Sequence, residues 1–157
     1  MTGQHRAPDT GRMQDPTCRP GPGNLDFPLA LIEEFRAGYA PDIVWTAPRR
    51  GLTWNGRDVV VTNLLREAAA MQALTFTRVR RSSGEAQVID EFVVRFTYAG
   101  EGIQNVSFPP GAAVELERVR ILTLAGGQVT HESAIETWTL LAPPTSPGAP
   151  NGQPDPD

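Results

Sequence analysis

Alternating apolar and polar residues fill the second half of the chain and predict long β-strands over residues 74–81, 87–99, 113–124 and 129–140. Earlier apolar residues recur at helical spacing and predict helices over 29–39 and from Asn55 to Met71, with Asn55 as the N-cap. A β-branched and aromatic run at 42–46 predicts one short strand between them. Helices followed by a meander of antiparallel strands indicate an α+β fold.

The last two strands are predicted to form a hairpin, because Gly126-Gly127 suits a two-residue turn with positive φ angles. Closing the hairpin there pairs Ala125 with Gln128 and places Glu117 opposite Glu136. Like charges directly opposite one another destabilise a ladder. This pair therefore needs a cation, a shared proton or solvent beside it.

One mixed face of three adjacent strands is the predicted pocket lining. A register that brings Arg95 near Glu117 gives that face both charged and apolar side chains. Its members are Glu91, Val93, Arg95, Glu117, Val119, Ile121, Glu132, Ala134, Glu136 and Trp138. The other face is apolar enough to suggest a homodimer packed through the sheet, with Arg118 and Arg120 paired to acids at its edge. Its apolar members are Phe92, Val94, Leu116, Leu122 and Ile135.

Proline marks the domain boundaries, since 11 of the 15 prolines lie at or before Pro28 or at or after Pro143. We therefore expect disordered tails at residues 1–24 and 142–157 and one domain over 25–141. That domain is large enough to fold alone.

Composition excludes several function classes. The net charge of −4 and the lack of a basic cluster argue against nucleic acid as the partner. All 14 basic residues are arginine, which excludes lysine nucleophiles. A single cysteine, Cys18, and two histidines argue against a metal site, and no cofactor is expected. No apolar stretch suits a membrane span or signal peptide, so the expected location is the cytoplasm.

Three motifs resemble the SnoaL-like polyketide cyclase family of the nuclear transport factor 2-like superfamily. They are the run Tyr39 to Trp45 ahead of Pro48, the run Asn55 to Val60, and Gly127-Gln128-Val129 leading into a polar strand that ends near Trp138. The resemblance implies a curved sheet wrapped around N-terminal helices, forming a cone with an internal cavity and often a dimer through the sheet. Members include cyclases, isomerases, epoxide hydrolases and noncatalytic binding modules.

The resemblance also shows which family residues are missing. A catalytic aspartate commonly lies seven residues after the turn glycine, and that position is Ala134. In the limonene-epoxide hydrolase branch, an Arg-x-Asp pair corresponds to Glu91 and Val93, and a Tyr-x-Asn pair corresponds to Trp45 and Ala47. Glu132 and Glu136 flank the vacant aspartate position on the same face of their strand.

Three interpretations of the charged residues stay open. They form cross-strand ion pairs around Arg95, they leave one carboxyl protonated near neutral pH for acid–base chemistry, or they are simply exposed to solvent. The leading hypothesis is a cofactor-independent isomerase, cyclase or hydrolase acting on a small apolar ligand, with Glu91, Glu132 and Glu136 as catalysts. The predicted ligand contacts are Trp45, Arg95, Glu117 and Trp138. The alternatives are a noncatalytic binding or assembly protein and an epoxide hydrolase with a rearranged site.

Overall fold

The computed structural model describes residues 36–145, which form one curved six-stranded sheet and one long helix. The strands are β1 (Tyr39–Ala47), β2 (Leu52–Asn55), β3 (Met71–Ser83), β4 (Gln87–Tyr98), β5 (Ala113–Ala125) and β6 (Gln128–Ala142). A 3-10 turn, Pro48–Arg50, follows β1, and the helix α1 spans Arg57–Ala69. The sheet order is β2-β1-β6-β5-β4-β3, with β1 parallel to β6 and the other neighbours antiparallel. The predicted α+β fold is confirmed.

The four long predicted strands are present, each ending within three residues of its expected bounds. The short strand β2 was missed. Because Asn55 belongs to β2, the helix begins after Gly56, and Asn55 is not its cap. Of the predicted helix over 29–39, residues 36–38 are helical, Tyr39 begins β1, and the rest lies outside the described residues.

The predicted tails lie mostly outside the described residues, and the boundaries at 25 and 141 stay predictions. In the described part of the chain, no helix is both long and apolar enough to cross a membrane. The homodimer and the cytoplasmic location also stay predictions.

The hairpin register is correct at the turn and wrong further along the strands. Ala125 does pair with Gln128, but a β-bulge near Thr130 then shifts the ladder by one residue. Glu136 therefore lies opposite Arg118, while Glu117 lies opposite Thr137. The predicted pair of opposed glutamates does not form.

This one-residue shift also changes which strand faces belong together, because successive side chains point to opposite faces. The acidic face of β6 joins the face of β5 that carries Arg118 and Arg120, and not the face that carries Glu117. This shared face is the interior of the molecule. Its buried members include Phe92, Val94, Leu116, Arg118, Arg120, Leu122, Glu132, Ala134 and Glu136. The proposed dimer face was therefore wrong, since most of it packs inside the chain.

Two apolar clusters form the core, one on each side of a layer of buried charge. The first surrounds Trp45 and includes Leu122, and the second surrounds Phe96 and includes Leu116. Along β5, Arg118 and Arg120 lie between Leu116 and Leu122. The charged layer therefore crosses the middle of the core.

The loop between β4 and β5 packs against the end of α1, and Gly102 permits this close approach. Gly102 has φ +95°, and a Cβ there would lie 2.9 Å from the carbonyl oxygen of Arg66 and 3.1 Å from the Cβ of Ala70. Further along the same loop, the Asn105 side-chain amide donates to the carbonyl oxygen of Arg50 at 2.8 Å. The loop thus connects the helix end to the turn after β1.

We expect Gly102→Ala to lower the free energy of unfolding by about 1–3 kcal/mol, because a side chain adds backbone strain and steric overlap there. Chemical denaturation measures the change. Gly84→Ala is the matched control, since its Cβ would meet nothing closer than 3.6 Å. Equal losses in the two variants would contradict the proposed packing.

Candidate functional site

Arg50 is the buried residue that links the turn after β1 to the sheet and the helix. The turn ends at Gly51, whose left-handed φ of 66° lets its N–H bond back to the carbonyl oxygen of Pro48. Arg50 then points inward and forms a two-pronged ion pair with Glu136, with Nε–Oε2 at 2.7 Å and Nη2–Oε1 at 3.1 Å. Its Nη1 binds Glu67 of α1.

Arg118 and Trp138 complete the coordination of Glu136. Arg118 Nη2 lies 2.6 Å from Glu136 Oε1 and 3.4 Å from Glu67 Oε2. The indole N–H of Trp138 donates to Glu136 Oε2 at 3.0 Å. We call Arg50, Glu67, Arg118 and Glu136 the Glu136 cluster. All four are buried.

A second buried cluster surrounds Glu132. Arg120 pairs with it through Nε–Oε1 at 2.7 Å and Nη2–Oε2 at 2.9 Å. The Tyr39 hydroxyl donates to Oε2 at 2.6 Å, and the indole N–H of Trp45 donates to Oε1 at 3.1 Å. Glu132 is only 1% exposed, so these donors replace its water shell.

Both glutamates are ionised despite their burial. Burial alone would raise the pKa of Glu132, but the charge of Arg120 and the hydrogen bonds from Arg120 and Tyr39 outweigh burial and lower it. The pKa of Glu136 is likewise lowered, because Arg118 and Arg50 offset its burial. Burial raises the pKa of Tyr39, and the adjacent Glu132 charge raises it further, so the phenol keeps its proton.

These contacts limit the chemistry of the two carboxylates. Each accepts four donor contacts, which matches the approximate number of lone-pair sites on a carboxylate. In the two clusters, three arginines balance three glutamates. The arrangement therefore does not fit the interpretation in which several carboxylates share one arginine and one of them keeps its proton.

An open cleft of about 340 Å³ lies beside the Glu136 cluster. Its lining includes Arg50 and Glu136 from the cluster, Trp138 from β6, and Val106 and Phe108 from the loop before β5. Arg49 also lines it. The cleft therefore combines aromatic and aliphatic walls with a charged, buried boundary.

The structure brings together four of the seven predicted site residues. Glu132, Glu136, Trp45 and Trp138 all lie on the interior side, and the indole N–H of each tryptophan binds one of the glutamates. Trp45 is fully buried and stacks on Trp54 at 4.1 Å, so it belongs to the core. Trp138 lines the cleft.

Glu91, Arg95 and Glu117 lie on the opposite face of the sheet, so the grouping that joined them to Glu132 and Glu136 was wrong. Arg95 is 64% exposed and pairs with Glu115 across the ladder at 2.6 Å. Glu91 pairs with the exposed Arg80, and Glu117 is itself exposed. The bulge near Thr130 is the physical reason for this separation.

The sequence analysis correctly paired Arg118 and Arg120 with acids but placed them at the edge of an outer dimer face, whereas both are buried and hold Glu136 and Glu132. It did not identify Arg50. The β5 sequence contained a usable signal, because Arg118 and Arg120 alternate in phase with Leu116 and Leu122 on the buried face. Arg50 had no comparable signal, since it belongs to a turn without periodicity. Among residues 36–145, no group of three or more His, Cys, Asp or Glu side chains is arranged to hold a metal ion.

Replacing Glu132 with alanine should lower the free energy of unfolding by about 3–5 kcal/mol, because it leaves Arg120 buried without its counter-charge. Urea denaturation measures the loss. Glu91→Ala is the matched control on the outer face, where the exposed pair with Arg80 contributes less than about 1 kcal/mol. Similar losses in both variants would show that the Glu132 pair is not buried as described.

The lowered pKa values also predict acid sensitivity. Below the ordinary glutamate value of 4.5, the folded protein binds fewer protons at Glu132 and Glu136 than the unfolded chain does. Their stabilisation is therefore complete above about pH 4.5–5 and is lost as the pH falls through the folded-state values. Denaturation at a series of pH values should show a shallower acid loss in Glu132→Gln than in the parent. The exposed variant Glu117→Gln serves as control, and identical slopes for parent and Glu132→Gln would refute the prediction.

Several solved structures have the same fold as this chain. An NTF2-like protein of unknown function from Cytophaga hutchinsonii has a TM-score of 0.53 at 14% identity, covering 71% of this chain and 90% of that one. A proposed SnoaL-like polyketide cyclase from Jannaschia sp. CCS1 has a TM-score of 0.57 at 16% identity, covering 67% and 71%. An LEH-like epoxide hydrolase from M. tuberculosis has a TM-score of 0.51 at 13% identity, covering 71% and 74%. At these identities the likeness shows the fold alone.

The sequence itself provides the family assignment. Among curated proteins, none matches the chain closely enough to count as a relative. The model of the SnoaL-like domain matches residues 31–132, which is more than half of the chain. The protein therefore belongs to the SnoaL-like domain family.

Proposed function

We propose that this protein binds a small, largely apolar organic molecule in the cleft beside the Glu136 cluster, without using its buried glutamates as acid–base catalysts. The observation that carries this proposal is the saturation of Glu132 and Glu136, each with four donor contacts. A carboxylate in this state has no vacant lone pair for a substrate proton, and its lowered pKa makes it a weak base.

The cleft supports the binding part of the proposal. Its volume of about 340 Å³ is near the lower end of the 300–1,000 Å³ that is usual for small-molecule sites. Val106, Phe108 and Trp138 provide apolar and aromatic surface. Arg50 and Glu136 of the Glu136 cluster form the polar side of the cleft. Ion pairs within the cluster hold these two side chains in place. The cleft is present without a ligand, so less ordering is needed when a ligand binds.

A second candidate function is carboxylate acid–base catalysis, and one observation favours it. Glu136 lines the cleft, whereas Glu132 is not among the lining residues. A ligand that displaced the Trp138 N–H from Glu136 Oε2 would free one lone pair for proton transfer. This candidate retains the leading isomerase, cyclase or hydrolase hypothesis, but with Glu136 as the only acid–base group. An epoxide hydrolase with a rearranged site is a special case of it.

We expect ligand binding without conversion when small aromatic compounds and epoxides are incubated with the protein. Saturation-transfer NMR detects binding, and mass spectrometry detects any product. Phe108→Ala should weaken binding by about tenfold, since a buried aromatic contact contributes on the order of 1–2 kcal/mol. The exposed Val79→Ala on β3 is the control and should bind as the parent does.

Glu136→Gln separates the two candidate functions, because it keeps the side-chain shape and removes the charge. Turnover by the parent that is lost in Glu136→Gln would favour catalysis and overturn the binding proposal. Circular dichroism and retained ligand binding would show that the variant is folded. Absence of binding to the parent across the panel would overturn both candidates.

A further inference from the structure

Arg49 brings to the cleft a positive charge that no carboxylate among residues 36–145 balances. The Glu136 cluster contains two arginines and two glutamates, so the charged boundary of the cleft is neutral. Arg49 also lines the cleft and is exposed. In the described part of the chain, no carboxylate oxygen lies within 4.0 Å of a guanidinium nitrogen of Arg49. The oxygens that accept its hydrogen bonds are neutral. Arg49 therefore gives the cleft a net positive charge.

Two hydrogen bonds position the Arg49 guanidinium. Its Nη1 donates to the main-chain carbonyl oxygen of Glu136 at 3.1 Å and to the hydroxyl oxygen of Thr137 at 3.1 Å. Both acceptors belong to β6, so the planar group is held against the sheet. The Nε and Nη2 donors have no acceptor among the described residues. These two nitrogens form the side-on fork that matches the two oxygens of a carboxylate.

Aromatic rings line the same cleft. The Phe108 and Trp138 rings lie 6.2 Å apart between centroids at an interplanar angle of 36°. The guanidinium carbon of Arg50 lies 5.3 Å from the Trp138 centroid, and Phe96 meets that ring edge-on. These neighbours restrict the orientation of the Trp138 ring, and the part of it that lines the cleft is an apolar aromatic surface.

We infer that the natural ligand is a small aromatic carboxylate, with its anionic group on Arg49 and its ring against Phe108 and Trp138. This inference rests on the proposed binding function and specifies its ligand class. A single negative charge would balance Arg49, the one cleft arginine that has no carboxylate partner among the described residues. A planar ring suits the aromatic walls better than a flexible polar chain does, since few torsions are lost on binding.

The test compares 1-naphthoate with 1-naphthamide, which have nearly the same shape and differ in charge. Isothermal titration calorimetry at low ionic strength should show the acid binding the parent about tenfold more tightly than the amide. In Arg49→Gln the acid should bind no more tightly than the amide, and a circular dichroism spectrum that matches the parent shows that the variant is folded. Arg80→Gln removes an exposed arginine outside the cleft lining and should keep the preference.

Each outcome has a distinct meaning. Equal binding of acid and amide by the parent overturns the carboxylate inference and leaves the proposed binding function intact. A preference for the acid that survives in Arg49→Gln overturns the role of Arg49. If neither compound binds the parent, the aromatic-acid inference fails. Binding of other compounds in the wider panel then shows whether the proposed function also fails.

Discussion

The interior of this protein depends on the neutralisation of the Glu136 charge by other groups of the protein. Its carboxylate forms ion pairs with Arg50 from the turn after β1 and with Arg118 from β5. It also accepts a hydrogen bond from the indole N–H of Trp138 on its own strand. Through Arg50 and Arg118, the same charge is coupled to Glu67 on α1. Desolvation of an ion costs several kcal/mol, so no member of this set is tolerated alone. The positions of the turn, the helix and two strands are therefore mutually constrained.

Such a network stabilises the fold less than apolar packing of the same volume would. The reason is that the cost of desolvating the charges largely cancels the gain from ion pairing. Its effect here is geometric. The paired arginines and glutamates hold one boundary of the cleft in a single arrangement, and Arg50 also lies over the Trp138 ring. The Glu136 carboxylate is paired inside the protein, whereas Arg49 lines the cleft and has no carboxylate partner among residues 36–145. Two adjacent arginines thus have different surroundings, since Arg50 pairs with buried glutamates and Arg49 is exposed in the cleft.

Residue patterns were sufficient for the α+β class and the four long strands, because alternation is a property of each strand by itself. The separation of Phe92 and Val94 from Glu91 and Arg95 is correct for that reason. The relation between strands was less accessible, since it depends on a bulge that no local pattern marks. Because of one extra residue near Thr130, Glu136 lies opposite Arg118 and not opposite Glu117. The expected repulsive pair is therefore an attractive one. The contribution of Arg50 depends on a turn conformation and on distant partners, which periodicity does not report.

Ala134 connects the family comparison with this internal charge balance. The resemblance places a catalytic aspartate of other members at this position, where the present chain has a fully buried methyl group opposite Arg120. An acid there would lie between Glu132 and Glu136 on one face of β6, adding a charge that the three buried arginines of the two clusters do not match. The small side chain also leaves Arg120 able to reach diagonally to Glu132. The absence of the aspartate and the presence of the two flanking glutamates therefore belong to one charge balance, in which three arginines neutralise the three buried glutamates of the two clusters.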